Sequence, residues 1–144
     1  MDLPRETDFG TFVAPQAYEL PNLGLITEEV FGPILHVIRY KRENLNKVIE
    51  EINGLGYGLT FGIQSRIDET VDYIQQRINA GNIYVNRNTV GAVVGVQPFG
   101  GSWLSGTGPK AGGPHYLSRF CIESTLTINT TAAGGNASLM AMED

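Results

Sequence analysis

The sequence has a single cysteine, Cys121, among its 144 residues, so an internal disulfide framework is excluded. It also lacks a basic cluster, because no group of neighbouring Lys and Arg residues exceeds the pair Lys41 and Arg42; the chain has 10 Lys and Arg, 15 Asp and Glu, and a formal net charge of -5. Nucleic-acid binding by this segment is therefore excluded, since it needs a basic surface. No apolar run reaches the roughly 20 residues that span a bilayer, and the first residues lack the apolar core of a signal peptide. These absences favour a cytoplasmic protein without a membrane span.

Few side chains are suited to act as a nucleophile or a metal ligand. Cys121 lies between Phe120 and Ile122, and this apolar setting predicts a buried, inert thiol. The two histidines, His36 and His115, form no metal-spaced pair with another His, Cys or Glu. The sequence therefore predicts no metal site and offers no catalytic nucleophile.

Hydrophobic residues make up 42% of the chain, enough for one packed domain. Two apolar stripes at helical spacing predict helices, with N-caps at Asn44 and near Asp68 and ends at Gly54 and Gly81. Segments rich in β-branched and aromatic residues predict strands at 11–14, 35–40, 59–63 and 82–86, with a last candidate at 124–130. The two stripes consist of Leu45, Val48, Ile49 and Ile52, and of Ile67, Val71, Ile74 and Ile78.

The predicted order β-α-β-α-β over residues 35–86 indicates an α/β fold with a parallel sheet and right-handed crossovers. Ligands bind beyond the carboxyl ends of the strands in such sheets. A glycine-rich loop, residues 91–101, follows the third of these strands, so we expect a site there. The strand at 124–130 lies past this unit. It either pairs with another domain or subunit, or forms an edge strand of the same sheet.

Two motifs are suited to ligand binding. Glu28 and Glu29 precede Phe31 and a Gly-Pro turn; a carboxylate can accept hydrogen bonds from two ribose hydroxyls, and an aromatic ring can pack on a nicotinamide. The alternative is two solvated acids before a buried Phe. In the glycine-rich loop, Gly91 leaves backbone N–H groups free to hold a carboxylate, and Phe99 would form a wall. The alternative there is a structural turn with a core Phe.

Taken together, the ordered motifs resemble the aldehyde dehydrogenase family. Glu-Glu-Val-Phe-Gly-Pro at 28–33 resembles the family segment whose second acid binds the nicotinamide ribose. Pro-Phe-Gly-Gly at 98–101, followed by Leu-Ser-Gly at 104–106, resembles the family's C-terminal loop. Residues 91–101, 106–114 and 129–136 look like the C-terminal part of the 1-pyrroline-5-carboxylate dehydrogenase domain of bifunctional bacterial proline utilization A proteins. The resemblance covers residues 10–140.

The resemblance implies a substrate and a cofactor. Enzymes of this subfamily oxidise L-glutamate γ-semialdehyde to glutamate with NAD, and FAD would belong only to a separate proline dehydrogenase domain. By this resemblance, Glu29 binds the ribose and Phe31 contacts the nicotinamide. Gly91 and Ala92 donate backbone amides to the substrate's α-carboxylate, and Phe99 walls its aliphatic stem.

The resemblance also implies an incomplete site. The family's catalytic Cys, its general-base Glu and its dinucleotide-binding domain lie upstream of residue 1, so we expect an inactive C-terminal portion. Residues 1–120 would belong to the catalytic domain, and residues 121–144 would form an oligomerisation strand and tail that build a homo-oligomer. The alternatives are a non-catalytic module that acts through oligomerisation, or complementation by a separate upstream chain. Trp103 stands where the subfamily has a small Gly, and Gln64 where a His is common.

Overall fold

A computed structural model gives the fold and describes residues 3–129 and residue 132. The regular elements, in chain order, are β1 (Gln16–Leu20), β2 (Ile34–Ile38), α1 (Leu45–Gly54), β3 (Tyr57–Gly58), β4 (Thr60–Ile63), α2 (Asp68–Gln75), β5 (Asn82–Val85) and β6 (Ser102–Trp103). Short 3-10 helices cover Arg5–Thr7, Leu23–Leu25, Arg42–Asn44 and Leu117–Phe120. The two predicted helices and the strands near 35–40, 59–63 and 82–86 are therefore confirmed, but α2 ends at Gln75 and not at Gly81, so Ile78 lies beyond it.

The strands of the described part form three two-stranded sheets. β1 pairs in parallel with β2, β4 in parallel with β5, and β3 antiparallel with β6. The α/β character with parallel pairing is confirmed, but the expected single sheet is wrong because β2 pairs with β1 and not with β4. Only β4, α2 and β5 form a parallel βαβ unit. Hydrophobic periodicity locates strands, whereas their partners depend on contacts between distant segments.

Two predicted strands are not found. Residues 11–14 are irregular, and the strand begins instead at Gln16, directly after Pro15. Proline has no N–H to donate, and the Gln16 N–H makes the first contact with β2 by donating to the Pro33 carbonyl at 3.0 Å. The structure assigns no strand to residues 124–129, which have no neighbouring strand among the described residues. Thr130 and nearly all of the segment after it lie outside the described residues.

The core lies between the two helices and the β4–β5 pair. Its centre is Ile49 of α1, Ile63 of β4, and Ile74 and Ile78 from the second stripe. Ile67 is the exception to the predicted stripes, because it is 50% exposed and precedes α2 as its N-cap. Partly buried residues packed against this centre are Leu45, Ile52, Phe61, Val71 and Ile83.

Asn53 fixes the end of α1 against the chain that leaves α2. Its Nδ2 donates to the Arg77 carbonyl at 2.8 Å, and its Oδ1 accepts from the Asn79 N–H at 2.8 Å. The segment that enters β5 is thereby held in place before it reaches the glycine-rich loop.

Replacing Ile49 by Ala tests the position of the core. Ile49 is 3% exposed, whereas Leu117 is 78% exposed. Removing the buried side chain should lower the free energy of unfolding by about 2–5 kcal/mol, measured by urea denaturation of this chain. Leu117→Ala is the matched control and should change it by less than about 0.5 kcal/mol. Equal effects of the two substitutions would contradict this assignment of the core.

Candidate functional site

The carboxyl ends of β4 and β5 are tied together by side-chain amides. Asn86, which follows β5, has a positive φ of 54° that Asn tolerates better than most residues. Its Oδ1 accepts from the Ser65 N–H at 3.0 Å, and its Nδ2 donates to the Ser65 carbonyl at 2.9 Å. Gln64, which stands where His is common in the resembling family, donates to the Arg87 carbonyl at 2.9 Å. The chain that leads to the glycine-rich loop therefore starts from a fixed point.

Glycines allow the far end of the loop to touch the rest of the fold through its backbone. A Cβ on Gly81 would lie 1.8 Å from the Gly100 carbonyl oxygen, and a Cβ on Gly101 would lie 2.5 Å from that of Gly58. A Cβ on Gly58 would lie 2.6 Å from the Asn79 carbonyl oxygen. No side chain fits at these distances, so these positions require glycine.

Asn82, the first residue of β5, connects the loop to the sheet. It is 9% exposed; its Nδ2 donates to the Pro98 carbonyl at 3.0 Å, and its Oδ1 accepts from the Gly100 N–H at 3.4 Å. Lys110 Nζ also donates to Asn82 Oδ1 at 3.4 Å, as well as to the Gly81 carbonyl. The motifs gave neither Asn82 nor Lys110 a role. The available signal was an Asn inside a strand candidate, because Asn is depleted in strands and needs partners when buried.

Phe99 and Gly91 lie close together in the glycine-rich loop. The Phe99 N–H donates to the Ala111 carbonyl at 3.0 Å, and the Ala111 N–H donates back at 2.9 Å. The half-buried Phe99 ring faces Gly91, where a Cβ would lie 3.5 Å from the ring. Ala92 is half-buried, and the Val93 carbonyl closes a turn by accepting from two following amides at 3.0 and 3.3 Å.

Glu29 and Phe31 lie in the connection between β1 and β2. The Gly32 N–H donates to the Val30 carbonyl at 3.0 Å, which makes a tight turn with Phe31 at its apex. Phe31 is 97% exposed, so the alternative of a buried Phe is wrong. The exposed Glu29 carboxylate makes no hydrogen bond or ion pair with any residue that the structure describes. Both groups are free to meet a ligand.

The two halves of the predicted site are not joined by contacts of this chain. Within the described range, no hydrogen bond or ion pair links Glu29 to the loop that carries Gly91, Ala92 and Phe99. Their convergence on a single cleft stays a prediction.

Cys121 is exposed, so the expectation of a buried thiol is wrong. It follows the 3-10 helix Leu117–Phe120, and its neighbours Phe120 and Ile122 are also 72% and 94% exposed. Its Sγ donates to the Leu117 carbonyl at 3.6 Å. Apolar neighbours in sequence bury a residue only when another segment covers them, and none does so here among residues 3–129.

Neither histidine joins a cluster of metal-binding groups in the described part, where no three His, Cys, Asp or Glu side chains come together. His36 lies in β2, and His115 lies in a turn before the 3-10 helix. The two described helices are also too short or too polar to cross a bilayer.

Trp103 shapes the chain beyond the loop. It has a positive φ of 55°, a conformation that glycine adopts more easily. It pairs with Tyr57 in the β3–β6 sheet, and its ring lies 3.4 Å from a Cβ built on Gly58. The Gly58 N–H in turn donates to Ser105 Oγ at 3.0 Å. The bulky ring therefore covers the backbone contact that anchors the loop.

Comparison with known proteins places the chain in a family. Residues 2–126 match the aldehyde dehydrogenase family, and the chain belongs to that family. It is 61% identical over 127 residues to the bifunctional protein PutA of Escherichia coli, covering 86% of this chain and 10% of the relative. It is 40% identical over 110 residues to 1-pyrroline-5-carboxylate dehydrogenase of a Geobacillus species, covering 75% of this chain and 21% of the relative. The chain therefore spans only a small part of the length of these relatives.

Solved structures agree with this assignment. A Bradyrhizobium japonicum proline utilization A variant matches with a TM-score of 0.78 and 66% identity, covering 87% of this chain and 13% of that chain. A 1-pyrroline-5-carboxylate dehydrogenase from Thermus with bound NAD matches with a TM-score of 0.67 and 43% identity, covering 76% of this chain and 21% of that chain.

Gly81→Ala tests the backbone contact that anchors the loop. Its Cβ would lie 1.8 Å from a backbone oxygen, so the substitution should lower the free energy of unfolding by about 3 kcal/mol or more. Gly54→Ala is the matched control, because it ends α1 with nothing within 4 Å of the new Cβ. It should be neutral or stabilise by up to about 1 kcal/mol. Urea denaturation compares the two, and a Gly81→Ala chain as stable as the parent would refute the contact.

Proposed function

We propose that these residues form the C-terminal part of an NAD-dependent dehydrogenase that oxidises L-glutamate γ-semialdehyde to glutamate. The observation that carries the proposal is the packing of Phe99 against Gly91 in a loop whose backbone is fixed at both ends. This loop lies within the region that is 61% identical to the E. coli PutA protein. By its name, PutA is bifunctional, and the Geobacillus relative is a 1-pyrroline-5-carboxylate dehydrogenase.

On the substrate side, Gly91 and Ala92 are proposed to donate backbone N–H groups to the α-carboxylate. Successive backbone amides in a turn make a concave anion site. Phe99 would then pack along the apolar stem between the carboxylate and the aldehyde. This division of roles fits a substrate with a charged end and an apolar middle.

On the cofactor side, Glu29 is proposed to bind the nicotinamide ribose, and Phe31 to contact the nicotinamide. The residues present fit this role. The unpartnered Glu29 carboxylate can accept hydrogen bonds from two ribose hydroxyls, and the Phe31 ring, which is 97% exposed, offers a free face. NAD would supply the hydride acceptor. FAD is assigned no site in this segment and would belong to a separate proline dehydrogenase domain in a bifunctional parent.

The nucleophile is proposed to come from outside these residues. Thioester chemistry needs an activated thiolate beside a base, and within the described part no hydrogen bond joins the exposed Cys121 to a charged or basic side chain. Residues 1–120 would complete the catalytic domain, and residues 121–144 would join a second copy in a homo-oligomer. Exposed apolar residues in this second segment favour an interface: Ile122, Leu126 and Ile128 are 94%, 84% and 67% exposed.

The same exposure supports a second candidate function, a non-catalytic module that assembles through residues 121–144. The two functions differ in what an upstream partner adds. Restored catalysis would support the first, and assembly without catalysis the second.

The first function is tested by incubating the protein with L-glutamate γ-semialdehyde and NAD and measuring the absorbance of the NADH that forms. Residues 1–144 alone should give no turnover, because they lack the nucleophile. Joining them to the upstream remainder of a PutA dehydrogenase domain, in one chain or as a mixture, should restore turnover. Turnover by the isolated chain, or none after joining, would contradict the proposal.

Glu29→Gln in the complete enzyme tests the ribose contact. The neutral amide accepts hydrogen bonds less strongly than a carboxylate, so kcat should fall by about tenfold or more while the melting temperature stays within about 2 °C. The adjacent and equally exposed Glu28 supplies the control, since Glu28→Gln should leave kcat within about twofold. Unchanged kinetics of Glu29→Gln would remove Glu29 from the cofactor site.

A further inference from the structure

We propose that Lys110 is a positioning residue for the substrate wall, because it fixes the amide orientation of Asn82 and thereby the backbone of Phe99. The proposal rests on the proposed function, in which Phe99 packs along the stem of the substrate. Lys110 itself would not touch the substrate.

The first step concerns the backbone around Phe99. The peptide groups on its two sides are held by one side chain, because Asn82 donates to the Pro98 carbonyl at 3.0 Å and accepts from the Gly100 N–H at 3.4 Å. The N–H and the carbonyl of Phe99 make hydrogen bonds with Ala111 at 3.0 and 2.9 Å. Four polar groups are therefore fixed, so the ring has little freedom to move away from Gly91.

The second step concerns the Asn82 amide. A carboxamide has a donor end and an acceptor end, and only one orientation satisfies both Pro98 and Gly100. An ammonium has donors and no acceptor. Lys110 Nζ lies 3.4 Å from Asn82 Oδ1, so a flipped amide would bring two donor groups together. Lys110 therefore selects the orientation that holds the loop.

The third step distinguishes Lys110 from the surface lysines. Lys41 and Lys47 make ion pairs with Glu43 and Glu51, and their side chains are 81% and 74% exposed. Lys110 is half-buried and donates to the Gly81 carbonyl and to Asn82, with no carboxylate partner in the described residues. Directed hydrogen bonds to neutral oxygens indicate an orienting role and not a surface-charge role.

The test uses Lys110→Met in the complete enzyme, because Met has a similar length and no donor. The KM for L-glutamate γ-semialdehyde should rise about fivefold or more, in line with the loss of a charge-assisted hydrogen bond, while kcat stays within about twofold. That split is expected because Phe99 contacts a part of the substrate that does not react. Lys47→Met is the matched control and should change neither parameter.

A second readout does not depend on catalysis. Hydrogen exchange of the backbone amides of residues 99–101 should be at least about fivefold faster in Lys110→Met than in the parent, and unchanged in Lys47→Met. Should Lys110→Met fail to fold, Lys110→Gln takes its place. Its uncharged amide, on a side chain one atom shorter, loses the charge-assisted hydrogen bond, so the same changes are expected.

Two results would overturn the proposal: unchanged amide exchange at residues 99–101, or faster exchange with an unchanged KM. Failure of the parent enzyme to oxidise the semialdehyde would count against the proposed function. In that case amide exchange alone decides the positioning role, so the two failures remain distinguishable.

Discussion

The direct contact between backbone segments at Gly58, Gly81, Gly100 and Gly101 is the constraint on which the candidate site depends. Side chains adjust to small shifts by changing rotamer, but two peptide groups in contact cannot do so. At Gly81 and Gly100 the backbones approach so closely that even a methyl group would overlap a carbonyl oxygen. This proximity brings Pro98 within reach of Asn82, and the remaining hydrogen bonds of the loop follow from it. The main role of these glycines is therefore to allow close backbone packing, and access for a ligand is a secondary role.

A second feature of the fold is its large exposed apolar surface. The described core is small, with Ile49, Ile63, Ile74 and Ile78 at its centre. Large side chains outside it remain in solvent, among them Phe31 and Val94, each 97% exposed. A two-stranded sheet gains little stability by itself, and in the β1–β2 pair Leu35 is 60% exposed. Such surfaces fit the small share of its relatives' length that this chain covers.

Local patterns predicted the helices because these depend on neighbouring residues. The stripes that contain Ile49 and Ile74 follow directly from helical periodicity, and both residues are buried. Strand pairing was not predictable in the same way: β1 carries Gln16 and Glu19 in an exposed strand, and its partner lies beyond a long connection. The burial of Cys121 was predicted wrongly because its apolar neighbours have no covering segment in the described chain. Lys110 could not be placed at all, since its partners at Gly81 and Asn82 are nearly thirty residues away.

Strand β5 has only four residues, yet an asparagine lies at its first position and another directly after its last. Asn82 holds the loop at one end, and Asn86 holds Ser65 at the other. A slip of one residue along β4 would move Tyr84 and Ile83 each to the other face of the sheet and would break both sets of amide contacts at once. The two asparagines therefore fix the register of β5. The strand is too short to specify its alignment by itself, and a misaligned chain would lose hydrogen bonds at both ends of the strand.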